Sequence, residues 1–235
     1  MRKVFVAGVL LLFLSPLIQA QSLGAPPDPQ AMKPISRMKD GLYIGIGVPF
    51  NQIQGDFDGT SYLTSGDEFF LVPKFKDGQG VKYFGGYRGG NVAFELSYAK
   101  STHQATWDGV PVSATGAAFT VWALHIKGYL GGGRSVIQPY ILCGFGMPQI
   151  VVKDGAVKGS TVGDATFSGE ELDIGIGLAI FPFSRLCLFG EWTYRYIDIR
   201  MVSQPGGEDW KLADTWGTGL GASKMNLSLG VSFTF

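Results

Sequence analysis

Met225-Asn-Leu-Ser-Leu-Gly-Val-Ser-Phe-Thr-Phe235 alternates without a fault. Met225, Leu227, Leu229, Val231, Phe233 and Phe235 form one set, and Asn226, Ser228, Gly230, Ser232 and Thr234 form the other. Successive side chains of a strand point to opposite faces, so this stretch is a strand with one face in an apolar medium and one in a polar medium. At the edge of a soluble sheet, such a long apolar strand ending on Phe235 is an aggregation hazard. As the closing strand of a membrane barrel it is well placed, with its aromatic end at the interface.

Working outward, the same alternation recurs. Leu42, Ile44, Ile46 and Val48 share a face opposite Tyr43, Gly45 and Gly47. Segments 81–88 and 91–98 read as a hairpin turning at Gly89-Gly90, where glycines suit the positive φ of a two-residue turn. Pairing Arg88 with Asn91 matches Tyr87 to Val92, Gly85 to Phe94, Tyr83 to Leu96 and Val81 to Tyr98 on an apolar face. The other face pairs Phe84 with Glu95 and Lys82 with Ser97. Next comes a strand with Trp122, Leu124, Ile126 and Leu130 on one face and His125, Lys127 and Tyr129 on the other. Matching Leu130 to Pro139 across the 131–138 turn puts Ile141, Cys143 and Phe145 on the apolar side and Gly144 opposite His125. Segment 172–180 alternates cleanly, 181–185 is a turn, and 186–196 directs Leu188, Trp192, Tyr194 and Tyr196 outward and Cys187, Phe189, Glu191, Thr193 and Arg195 inward. Long loops are expected at 51–78, 101–118, 147–171 and 199–223.

Long loop and short turn thus alternate around about eight strands of roughly ten residues, the length that crosses a membrane at a tilt. The expected fold is all-β: an eight-stranded antiparallel up-and-down transmembrane β-barrel spanning 41–235. An even strand count puts both ends on one side, the side of the short turns. One face carries almost no charge. The other carries Lys82, Arg88, Glu95, His125, Lys127, Asp173, Glu191 and Arg195 among Gly, Ser and Thr, and reads as a paired lumen charge network. Eight strands leave an interior just filled by side chains, and Gly45, Gly47, Gly175 and Gly177 make room for long neighbours such as Phe189 and Arg195. Glu95 is expected to pair with basic groups of the flanking strands, and Arg195 with Asp173 or Glu171. Girdle aromatics are expected at Tyr87, Tyr140, Phe181, Phe233 and Phe235 at one rim and at Tyr98, Tyr194 and Tyr196 at the other.

The N-terminus reads as a secretory signal over 1–20: Arg2 and Lys3, an apolar run from Val4 to Leu14, and a cleavage site between Ala20 and Gln21. Residues 21–40, with Pro26, Pro27, Pro29 and Pro34, read as a flexible lead-in. The 19 basic and 19 acidic residues balance, so no nucleic-acid partner is expected. Cys143 and Cys187 fall two strands apart on different faces, which argues against a disulfide and for two buried thiols.

Several motif fragments do not hold up. Gly45-x-Gly47 lacks its third glycine and runs into Pro49 where a helix would start. Asp56-Phe-Asp58-Gly59 lacks the later calcium ligands. Gly131-Gly-Gly-Arg-Ser135 lacks phosphate-loop spacing. No cofactor or metal site is expected.

The chain resembles the small outer-membrane barrels of Gram-negative bacteria, of the OmpA-transmembrane-domain and OmpX type. The resemblance rests on the signal segment, the strand rhythm, Gln138-Pro-Tyr140 opening a glycine-containing strand, and Leu229-x-Val231-x-Phe233-x-Phe235. It implies the outer membrane as location and the lipids there and the barrel-assembly machinery as partners, with Leu229, Val231, Phe233 and Phe235 as the assembly signal. An OmpA-like wall anchor is not implied. The expected role is structural or a surface interaction with an unidentified extracellular ligand through the long loops. A narrow small-solute pore is the alternative. A lipid-modifying enzyme is the weaker one, since neither Ser101 with His103 nor His125 beside Lys127 makes a convincing nucleophile and base.

Overall fold

The structure is a computed structural model that describes residues 39–59, 61–63, 69–107, 115–131, 135–153, 163–203, 209–212, 217 and 219–235. The signal segment, its Ala20–Gln21 junction and nearly all of the lead-in lie outside these residues.

Eight strands form the wall: β1 (Gly41–Gly55), β2 (Gly78–Gly89), β3 (Val92–Thr106), β4 (Thr115–Tyr129), β5 (Ile137–Val152), β6 (Ala165–Phe183), β7 (Leu186–Ser203) and β8 (Leu220–Thr234). Each pairs antiparallel with its chain neighbours, and β8 pairs with β1 (Tyr43↔Thr234, Ile46↔Val231, Phe50↔Leu227), so the sheet closes. Closure leaves no long free edge. Short strands Lys74–Phe75 and Trp210–Lys211 add to β3 and β7, and Ser61–Leu63 pairs with Phe69–Leu71.

The hairpin between β2 and β3 turns one residue later than the glycine pair suggests. Gly89 pairs with Val92 and Arg88 with Ala93, so the turn is Gly90-Asn91. Gly90 takes φ +58°, in the left-handed region that glycine tolerates, and donates its N–H to Asp40 Oδ1 at 2.9 Å. The register moves by two residues from the expected one, which leaves each side chain on its expected face. Between β4 and β5, His125 faces Gly144 and Leu130 N–H donates to Pro139 O, as the sequence reading has it. The β6–β7 turn is narrower than expected, because β6 runs on to Phe183 and only Ser184 and Arg185 turn.

The strands run 12 to 19 residues, longer than the roughly ten needed to span the hydrocarbon. Parts of the expected loops are therefore wall, and the two faces swap chemistry along them. On β1 the outward residues are Leu42, Ile44, Ile46, Val48 and Phe50, then Gln52 and Gln54, while the inward side turns apolar at Ile53. On β3 the outward series is Phe94, Leu96, Tyr98, then Lys100, Thr102, Gln104. The neighbours change at the same level: Tyr98 pairs with Trp122 and Trp122 with Met147, but Lys100 pairs with Thr120 and Thr120 with Gln149. Below this level the wall is built for lipid outside; above it, for water outside and an apolar core inside.

The interior has three tiers. At the turn end, Tyr43, Phe84, Tyr129, Tyr140, Phe181 and Phe189 pack together, with Phe84 and Phe189 edge to face at 5.4 Å. Charged groups form the middle tier. At the loop end an apolar core gathers Ile53, Phe57, Phe75, Phe119, Ile150, Phe167, Ile197, Ile199 and Leu220. Tyr140 and Phe181, expected in the rim girdle, are 2% and 1% exposed and belong to the floor. They share inward parity with Leu142 and Ala179, and side-chain parity decides the face regardless of aromatic preference. Both cysteines are free; Cys187 is buried, but Cys143 is half-buried on the outward face rather than buried.

Candidate functional site: the lumen charge tier

Lys82 comes from β2, Glu95 from β3, Lys127 from β4 and Glu191 from β7, all from inward positions. Their charged ends form a closed square. Lys82 Nζ lies 3.1 Å from Glu95 Oε1 and 3.1 Å from Glu191 Oε1, and Lys127 Nζ lies 2.7 Å from Glu95 Oε2 and 3.0 Å from Glu191 Oε2. Each ammonium bridges both carboxylates, so two positive and two negative charges cancel within the square. Tyr43 OH donates to Glu95 Oε2 at 3.2 Å and Tyr140 OH to Glu191 Oε2 at 3.1 Å, which ties the square to the aromatic floor. Ions this far from water are tolerable only when paired and hydrogen-bonded in this way.

A second chain of contacts runs beside the square. His125 Nε2 donates to Asp173 Oδ2 at 2.7 Å. Arg195 Nη1 donates to Glu171 Oε1 at 2.8 Å, and its Nε lies 3.9 Å from Asp173 Oδ2. Opposite His125 and Asp173, Gly144 leaves the space that a side chain would occupy.

Seven of the eight charged residues read from the sequence thus meet in one tier. Arg88 does not. It sits in the floor, its guanidinium 5.0 to 5.1 Å from the rings of Tyr43, Tyr129 and Phe181, and Nη2 donates to Tyr129 OH at 3.3 Å. Here π faces take the place of a carboxylate. Two further residues belong to the interior charge. Glu171 sits inside β6 rather than in a loop, in step with Asp173. Lys224, absent from the expected set, is buried with Nζ 3.4 Å from the Phe119 ring centroid. Its parity with Asn226 and Ser228 carries the signal, once the closing strand is extended upstream of Met225.

Ser97 adds a Ser–His–Asp alignment that the sequence reading did not single out. Its Oγ is 3.5 Å from His125 Nδ1, and His125 holds Asp173. The geometry does not make a nucleophile. The hydroxyl contact is long and the three side chains are buried in the wall, 3%, 0% and 0% exposed, out of reach of a substrate. Ser101 and His103 also meet: Ser101 Oγ donates to His103 Nε2 at 3.0 Å, because Nδ1–H is committed to Lys76 O at 2.9 Å. Ser101 is 2% exposed, so this hydroxyl too has no approach for a substrate. Between floor and square the described residues leave one small cavity of about 10 Å³, room for a single water at most.

A closed, eight-stranded barrel with a lipid-facing apolar band and a packed polar lumen is an outer-membrane architecture. The chain belongs to the outer membrane protein beta-barrel domain family, whose model matches residues 18–235. Solved outer-membrane structures share the fold, two of them at a TM-score of 0.54. Neisserial surface protein A is 14% identical with a TM-score of 0.54, over 83% of this chain and 97% of that one. OprG from Pseudomonas aeruginosa is 15% identical with a TM-score of 0.54, over 86% and 99%. At such identities the likeness is one of fold. Comparison with curated proteins gives no match.

Proposed function

We propose that this outer-membrane barrel is a closed, non-enzymatic scaffold that acts through its four extracellular loops, in surface interaction or in a structural role. One observation carries the reading: side chains pack all three tiers of the interior, and the cavity between the aromatic floor and the charged square holds only about 10 Å³. A hydrated ion needs a continuous water path, and neither the aromatic floor nor the apolar core provides one. The buried serines beside His103 and His125 weigh against catalysis for the same reason. In this reading the partners are the lipids around the barrel, the assembly machinery during biogenesis and an unidentified ligand at the loops. The alternative is a narrow solute pore. Single-channel recording of the refolded protein in planar bilayers separates the two. The closed reading predicts a flat baseline; reproducible discrete openings would reject it.

A further inference from the structure

Between β1 and β2 the chain lies along β3 as a short strap. Lys74 pairs with Thr106 and Phe75 with Ala105, and Lys76 N–H donates to Gln104 O at 2.9 Å. One side chain of β3 grips the strap from within. His103 Nδ1–H donates to Lys76 O at 2.9 Å, Nε2 accepts from Ser101 Oγ at 3.0 Å, and the ring meets Phe75 edge to face at 6.1 Å. The ring also lies against Gly78, where any side chain would collide with it. Glycine thus lets the start of β2 close over an imidazole that is only 5% exposed. Phe75 carries the grip inward, because it packs on Phe57 at 5.2 Å in the apolar core of the loop end.

This arrangement suits a neutral ring. Ser101 Oγ can turn to accept from a second ring N–H, so a proton on Nε2 need not break a hydrogen bond. What the proton adds is a charge held out of water. The groups around the ring give it little compensation. β1 presents the neutral Asn51 opposite Gly78, and β4 presents Ala117 opposite His103. β8 presents Lys224, which opposes a second positive charge. The strap offers Asp77, but that residue is exposed, as are the cationic Lys74 and Lys76.

We propose that His103 makes the strap acid-sensitive: a proton on its ring releases residues 74–77 from β3 and loosens the first extracellular loop over the apolar core. His103 stands beyond Lys100, in the water-facing collar and not in the lipid band. A released histidine takes up its proton near pH 6.5. The packed ring is held below that value, chiefly by burial; the Lys76 carbonyl favours the charged ring, Lys224 opposes it and Asp77 favours it. The released strap therefore binds the proton more tightly than the closed one. The closed form keeps its full stability above about pH 6.5 and loses it as the pH falls further. An acid-sensitive strap acts on the loops, the working part of the barrel in the reading above. Its opening is a property of the free protein, so this experiment and the bilayer recording fail independently.

The test follows hydrogen exchange at the Lys76 amide in the full mature protein in lipid nanodiscs, with rates corrected for the intrinsic effect of pH. It compares about pH 7.5 with about pH 5, a range over which ordinary carboxylates stay ionised. Gly221 serves as control, since Asp56 Oδ2 holds its N–H at 2.8 Å without a histidine. The expected result is a several-fold loss of protection at Lys76 in acid, with Gly221 unchanged. His103→Asn and His103→Gln keep an N–H for Lys76 O but cannot take up the proton, so protection at Lys76 should become independent of pH, whatever its level. Equal protection at the two pH values in the wild type would overturn the proposal. So would an equal acid loss at Gly221, or an acid response that survives in either amide variant.

Discussion

Lys127 touches both Glu95 and Glu191 within 3.0 Å, and Lys82 touches both at 3.1 Å, so no member of the square can be removed without stranding another. Glu95→Leu leaves two ammonium groups on one carboxylate and takes the acceptor from Tyr43. Breaking a buried pair in this manner costs about 3–5 kcal/mol, whereas removing both partners together costs less. Urea unfolding in lipid vesicles should therefore show a large loss for Glu95→Leu and partial recovery in Glu95→Leu with Lys127→Met. A single variant within about 0.5 kcal/mol of wild type, or strictly additive losses, would dissolve the network. These residues were legible because strand parity alone puts a side chain inside or outside. The same parity places Tyr140 and Phe181 in the floor; reading them as rim aromatics put residue preference before geometry. Arg88 shows the limit of parity. It gives the face correctly, but which tier an inward residue joins depends on how strands stagger around the barrel, and local alternation does not encode that.

At the scale of the strand, the sequence shows where the apolar outward series stops but not that the strand goes on. Above Phe50, Tyr98 and Met147 the outward residues become polar while the inward ones become apolar, as with Gln52-Ile53-Gln54. A reader looking for one constant medium on each face takes this inversion for loss of alternation, hence for loop. The boundary is sharp enough to test with two positions on β4. Leu124 lies in the lipid band, and Thr120 pairs with Lys100 and Gln149 in the collar. Leu124→Arg should cost about 2–4 kcal/mol in vesicle unfolding experiments and Thr120→Arg about 0–1 kcal/mol. Similar costs for the two would mean the membrane edge lies elsewhere. The hairpin between β2 and β3 teaches a related lesson. Two adjacent glycines located the turn to within a residue, but a two-residue slip preserves every face, so hydrophobic pattern could not choose the register. The positive φ at Gly90 and its bond to Asp40 do.

For the whole molecule, the decisive contact is the one between the first strand and the last. Phe235 N–H donates to Leu42 O at 2.9 Å, and its ring stacks edge to face on Phe233 at 5.6 Å, so Phe235 helps to seal β8 against β1. Deleting Phe235 should lower the amount of folded, boiling-sensitive barrel in outer-membrane fractions several-fold on gels; an unchanged band would show the terminal aromatic to be dispensable. The central claim is wider: one continuous wall meets lipid over its lower part and water over its upper part. Spin labels along β3 test it most directly, on a background of Cys143→Ser and Cys187→Ala in bilayers. With Leu96→Cys, Tyr98→Cys, Lys100→Cys, Thr102→Cys and Gln104→Cys, the first two labels should collide mainly with oxygen, which concentrates in lipid. The last three should collide mainly with a water-soluble nickel complex. A uniform lipid signature along the strand, or a uniform water signature, would contradict the account.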